Sequence, residues 1–300
     1  MKKFLLFVLV VLLGTVVMML ANDALNRYLV FATPNANPYK MYRLFHNDEG
    51  GEIPIIGSSR AEAGFAPKEI SDYAFNYGLS GSTARETVFH LKTILARPGK
   101  GVVLVNLDPW GLGNGKFLGD YRFVAELPQV KAEPKINVAN SDRIPGIRFQ
   151  GKTRSNLAEY VNNRLAVTKT MECGAILQKI SRSEDEWAYI ISKYTGMDFS
   201  CDTETRDMLS RVLAENDRHE IVFVVSPIAG PWQERFKGAE KLAAFEEWLR
   251  GFPHVHVIGY SETSKGYGME EFMDLTHLNE SGARRFSRAL RERLASLGVL

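Results

Sequence analysis

Residues able to perform acyl chemistry stand at two places in this chain. Ser58 and Ser59 close the run Ile53-Pro54-Ile55-Ile56-Gly57, and Asp274-Leu275-Thr276-His277 lies far downstream. A serine hydroxyl becomes a nucleophile when a base within hydrogen-bond reach takes its proton, and an imidazole base needs a third group to fix its tautomer. Ser59, His277 and Asp274 supply all three. An Asp-x-x-His spacing at a helix entrance turns both side chains to one side. Each piece also has a plainer reading: Ser58 or Ser59 as a helix cap, Asp274 as a turn residue, His277 as a surface histidine. Placement favours chemistry. A serine at the carboxyl edge of a first parallel strand sits where α/β sheets bind ligands, and the loop before the last helix can meet that edge.

Such placement requires a particular set of elements. Ile53–Ser58, Ala74–Gly78, Gly101–Asp108, Glu220–Pro227 and His254–Tyr260 read as five strands, rich in apolar and β-branched residues. Thr83–Ala96, Lys237–Arg250 and Asn279–Leu297 read as helices, with Val88, Leu91 and Ile94 on one face of the first. The alternation implies right-handed βαβ units. The expected fold is an α/β three-layer sandwich over residues 53–300, with a parallel five-stranded sheet of flavodoxin-like order 2-1-3-4-5. The stretch between the third and fourth strands is too long for a crossover. Residues 111–216 are therefore expected as an insertion, loop-like to Gly151 and more helical from Ser155 to Tyr194, forming a helical cap or partner-binding face.

Ahead of this domain, Phe4 to Ala21 is an 18-residue run without a charge, preceded by Lys2 and Lys3. At about 1.5 Å per residue it covers roughly 27 Å, near the ~30 Å hydrocarbon core. Residues 1–21 are expected to form a transmembrane anchor and 22–52 a juxtamembrane helix and loop. The lysines stay cytoplasmic and leave the remainder outside. A cleaved signal peptide is the alternative, although Met19-Leu20-Ala21 is a poor Ala-x-Ala site. A net charge of +2 with 24% charged residues lacks the basic stripe of a nucleic-acid protein. There is neither a Walker motif nor a zinc-ligand spacing, so no cofactor or metal is expected. Cys173 and Cys201 either pair as a disulfide or remain thiols.

The motifs resemble those of the SGNH (GDSL-type) hydrolase superfamily. Gly57-Ser58-Ser59 stands for its Gly-Asp-Ser block, with Ser59 matching the nucleophile and Ser58 replacing the aspartate. Asn76-Tyr77-Gly78-Leu79-Ser80-Gly81 resembles the second block, whose final glycine, here Gly81, lends a backbone N–H to the oxyanion hole beside that of Ser59. Asp274-Leu275-Thr276-His277 resembles the block of the paired aspartate and histidine. Val105-Asn106-Leu107-Asp108-Pro109-Trp110 departs from the family's Gly-x-Asn-Asp, and Asn106 is the nearest substitute for the asparagine that completes the hole. One lost oxyanion donor costs about 2.7–4 kcal/mol. The resemblance spans residues 53–108 and 220–297.

With its N-terminal anchor and Gly-Ser-Ser block, the chain is similar to membrane-anchored acyl-transfer proteins of D-alanyl transfer and alginate O-acetylation. That similarity implies a cell-surface glycan or polymer substrate and a membrane-bound O-acyltransferase partner. The expected function is an extracytoplasmic serine esterase or O-acyltransferase working through an acyl-serine. The alternative is an inactive protein of the same fold that binds a surface polymer or the membrane acyltransferase. Three further features have two readings each. Arg60 binds an anionic substrate group or forms a salt bridge. Trp110 and Trp232 stack on sugar rings or pack beneath a loop. Arg284, Arg285, Arg288, Arg291 and Arg293 meet an anionic partner or form a solvated face.

Overall fold

The computed structural model describes residues 1–300 except Asp48, Glu49, Gly111, Asn114, Gln150 and Ala166. Gly111, the expected first residue of the insertion, thus lies outside the described residues. The chain divides into two compact units: Met1–Tyr42 with Asp120–Ala166, and Arg43–Gly119 with Val167–Leu300.

The second unit is the α/β sandwich. Its strands are β1 (Ile53–Ile56), β2 (Ala74–Asn76), β3 (Val102–Asn106), β4 (Lys169–Glu172), β5 (Ala175–Gln178), β6 (Glu220–Val224) and β7 (Val255–Ile258). The sheet order is β2-β1-β3-β6-β7, with every pair parallel. With the separate β4–β5 hairpin set aside, this is the expected 2-1-3-4-5. Strands covered by helices on both faces are apolar throughout rather than alternating, which is why β1 is buried along its whole length. Pro54 is tolerated inside β1 because the ladder to β3 begins only at Ile55. Helices Ala84–Leu95, Ala239–Arg250 and Glu280–Ser296 fall where periodicity places them.

The β4–β5 hairpin lies within a stretch expected to be helical. Its two turn residues, Cys173 (φ 43°) and Gly174 (φ 84°), both take the left-handed region, as a two-residue hairpin turn of type I′ requires. That turn docks on the edge strand β2. Asn76 N–H donates to Cys173 O at 2.8 Å, and a Cβ on Gly174 would lie 2.1 Å from Asn76 O. Cys173 and Cys201 are free thiols.

The expected insertion is shared between the units. Residues 120–166 belong to the first, while 167–214 bring the hairpin and helices Glu184–Lys193 and Thr203–Ala214 to the second. Thr203–Ala214 packs on Ala84–Leu95.

In the first unit one helix runs from Lys2 to Phe31, 30 residues in all. Its apolar window has a mean hydropathy of 3.0, with none of it buried inside the protein, so this helix is long and apolar enough to span a membrane. Its C-terminal third is different. Asp23 pairs with Arg148 at 3.3 Å. Asn26 Nδ2 donates to Thr153 Oγ1 at 2.9 Å, and Asn156 Nδ2 donates to Asn26 Oδ1 at 2.8 Å. The segment after residue 21 is therefore mostly helical, through Phe31 and again over Asn37–His46, rather than a helix leading into a loop.

Candidate active site

The chain leaves β1 through Gly57, whose φ of 145° suits glycine and whose Cβ would lie 2.9 Å from that of Asn106 and 3.0 Å from that of Ala61. The two serines that follow divide the roles open to them. Ser58 caps the short helix Ser59–Gly64, its Oγ accepting from Arg60 N–H at 3.2 Å. Ser59 is then free to face the last loop, and its own N–H is one the helix cannot satisfy. Buried Asn76 ties this helix to β2 by donating to Ala61 O (2.7 Å) and Phe65 O (3.1 Å) while accepting from Gly78 N–H (2.8 Å).

The opposing loop is closed by Met273 N–H donating to His277 O at 3.0 Å and Asn279 N–H donating to Glu271 O at 2.9 Å. Asn279 then caps helix Glu280–Ser296. Within the loop, Asp274 Oδ1 accepts from Thr276 N–H (2.8 Å), Thr276 Oγ1 (3.0 Å) and His277 N–H (2.9 Å). His277 Nδ1 lies 2.9 Å from both Asp274 oxygens, and His277 Nε2 lies 2.7 Å from Ser59 Oγ. A proton on Nδ1, held by the carboxylate, leaves Nε2 as an acceptor for the Ser59 hydroxyl. Burial pushes the Asp274 carboxyl up, but the hydrogen bond and charge of His277, with the Thr276 and His277 N–H groups, outweigh it and bring it to about 2. Ser59, Asp274 and His277 are thus brought together.

No protein-family model and no curated protein matches this sequence. A solved structure from Streptococcus pneumonia, provisionally described as a platelet activating factor, aligns over 91% of this chain and 98% of its own at 13% identity, with a TM-score of 0.39. At that score the likeness bears on neither activity nor substrate.

Ser59, Gly81 and Asn106 line one cavity of about 220 Å³. Gly81 has φ 79°, a conformation that favours glycine. Asn106 is buried at the end of β3 yet faces this cavity. Its Nδ2 donates to Asp108 Oδ1 at 2.8 Å, while its Oδ1 has no partner among the described residues. One amide hydrogen therefore remains for a ligand.

Arg60 does not reach for a substrate anion. It is 2% exposed, with Nε donating to Thr276 O (3.0 Å), Nη1 to Asp108 Oδ1 (3.2 Å) and Nη2 to the carbonyls of Ser226 and Pro227. It clamps the Ser59 helix to the His277 loop and to the end of β6, a role that its position beside Ser59 does not announce. Trp110 lines the cavity but is held between the Arg60 guanidinium (4.7 Å) and Trp232 (4.7 Å). Trp232 is fully buried and stacks on Phe236, so it packs rather than meets a sugar. In the last helix, Arg284, Arg285, Arg288 and Arg293 pair with Glu69, Glu172, Glu280, Glu271 and Glu262, and with exposed Arg291 they form a largely solvated face of mixed charge. Among the described residues no group of three or more His, Cys, Asp or Glu is disposed to hold a metal.

Proposed function

We propose that this chain is a serine-dependent acyl hydrolase or acyltransferase of SGNH type, carried on a membrane helix with its α/β unit outside the cytoplasm. The observation that carries the proposal is the unbroken contact Ser59 Oγ–His277 Nε2–Asp274, at 2.7 and 2.9 Å. A polymer-binding module has no use for a hydroxyl, an imidazole and a carboxylate in that register, and this weighs against the inactive alternative.

In this mechanism His277 Nε2 takes the Ser59 proton as Oγ bonds to the ester carbonyl carbon. The imidazolium is stabilised by Asp274, which stays ionised. The carbonyl oxygen becomes an oxyanion received by the N–H groups of Ser59 and Gly81, with the Asn106 amide as the third donor. Collapse breaks the bond to the leaving alcohol, which departs with the proton from His277 and leaves an ester on Ser59. Water, or a hydroxyl of a surface glycan, then attacks that ester, gives its proton to His277, and releases acid or acylated glycan as Ser59 recovers its hydrogen. A membrane-bound acyltransferase supplying the acyl group is the partner this reading implies.

The test is turnover of p-nitrophenyl acetate by the full-length protein in lipid nanodiscs. Ser59→Ala and His277→Ala are each expected to lower kcat about ten-thousandfold or more. A folded wild-type protein that turns over no p-nitrophenyl ester, from acetate to dodecanoate, above the Ser59→Ala background contradicts the proposal.

A further inference from the structure

The cavity beside Ser59 extends well beyond the reacting atoms. It reaches between the sheet and helices Ala84–Leu95, Thr203–Ala214 and Ala239–Arg250, walled by Val88, Leu91, Leu209, Phe223 and Phe245. All five are at least nine-tenths buried. Its polar end holds Ser59, Gly81 and Asn106, the groups assigned above to the carbonyl, while His277 and Asp274 are absent from its wall. This asymmetry identifies the side of the ester. The base that protonates the leaving alcohol stands next to that alcohol, so a cavity that shares the oxyanion donors but not the base lies on the acyl side.

We infer that this cavity is an acyl-chain pocket and that the group carried on Ser59 is an apolar chain of about six to nine carbons rather than acetyl. The inference rests on the serine-ester reading above and adds the class of acyl donor. Size bounds the chain length: an apolar cavity of about 150 Å³ takes benzene, six carbons, so about 220 Å³, its polar end beside Ser59, Asn106 and Asp108 included, takes at most roughly eight or nine. An acetyl group would leave most of the pocket vacant. Thr205 is the exception in the inner wall. It is 3% exposed, lines the cavity, and its Oγ1 has no partner among the described residues. A buried hydroxyl left unpaired is costly, and since an apolar chain gives it no hydrogen bond, its partner would be a water retained beside the chain.

Three variants of the full-length chain in nanodiscs test the pocket, with p-nitrophenyl esters from acetate to dodecanoate and with octanoate titration corrected for empty nanodiscs. Each methylene moved out of water is worth about fourfold, so octanoyl ester should exceed acetyl ester in kcat/KM by at least about a hundredfold. Leu209→Trp fills the pocket and should cut that ratio at least about tenfold. Phe245→Ala enlarges it and should move the optimum to longer chains, an independent check if the tryptophan variant does not fold. Ser59→Ala should still bind octanoate and not acetate. Acetyl preferred by wild type, with the preference unmoved by either pocket variant, overturns the pocket while leaving the serine chemistry intact. Octanoate bound by Ser59→Ala with no ester cleaved by wild type supports the pocket and overturns the chemistry. Neither bound nor cleaved overturns both.

Discussion

At the scale of single residues, Asp274 and Arg60 hold the serine and the histidine in place by different means. Asp274 accepts from three N–H groups and one hydroxyl, so Asp274→Asn replaces an acceptor with an amide that cannot hold Nδ1–H in the same way. A drop in kcat of about ten-thousandfold is expected, as for the equivalent change in a serine protease. The same substitution should be visible in stability. The folded carboxyl sits at about 2 against an ordinary 3.8, so its ionised form favours folding. That contribution is fully present above about pH 4 and fades as pH falls towards 2. Melting temperatures measured from pH 5 to 2 should fall more steeply for wild type than for Asp274→Asn, and equal slopes would contradict this. Arg60 is a buried cation joined to Asp108 and three carbonyls. Arg60→Met strands these partners and is expected to destabilise by about 3 kcal/mol or more, measured by denaturant unfolding, and to lower kcat more than it raises KM. Arg60→Lys keeps the charge without the fork and should restore only part of either. The serine, histidine and aspartate were expected together from residue type, spacing and their places after the first strand and before the last helix. The role of Arg60 was not legible, because a guanidinium beside a nucleophile looks the same whether it points to solvent or into the core.

Among the elements, β1 and its exit turn bear a close geometric constraint. Gly57 has Asn106 and Ala61 within 3.0 Å of where a Cβ would stand, and its φ is one that other residues rarely adopt. Gly57→Ala is expected to cost about 1–3 kcal/mol, seen as a lower denaturant midpoint, and to reduce turnover by displacing Ser59. An unchanged midpoint would mean that the turn relaxes freely. Four strands of the main sheet were readable as largely apolar runs bounded by Gly, Pro or charged residues, and the short β2, Ala74–Asn76, from the stretch Ala-Phe-Asn-Tyr that ends at Gly78. The β4–β5 hairpin was not readable. Its strands, Lys169–Glu172 and Ala175–Gln178, are short and mixed, and its turn uses Cys-Gly where the recognisable signals are Asn-Gly or Asp-Gly. What holds it is tertiary: the fit of Gly174 against Asn76 on β2, which no local pattern announces.

For the molecule as a whole, the N-terminal helix serves two purposes along its length. Residues 4–20 are largely exposed and apolar, whereas Asp23, Asn26, Leu29 and Val30 are buried in the first unit. Deleting residues 2–21 should release the chain from the membrane pellet without loss of helical signal beyond the deleted segment. Deleting residues 2–31 should also unfold the first unit, seen as rapid proteolysis within 120–166. Equal protease resistance in both truncations would contradict the dual role. Hydropathy marked the apolar half. The polar half was legible only as helix, since its partners Arg148, Thr153 and Asn156 come from more than a hundred residues away, around the point where the insertion passes from loop-like to helical sequence.

The account stands on Ser59 being a nucleophile primed by His277. Its most direct test is peptide mass mapping after exposing the full-length protein to an alkyl fluorophosphonate, in which Ser59 Oγ bonds to phosphorus, fluoride leaves, and His277 takes the proton. Modification is predicted on the Ser59 peptide, absent in Ser59→Ala and markedly slower in His277→Ala. A folded wild-type protein that remains unmodified at Ser59 would contradict the central claim.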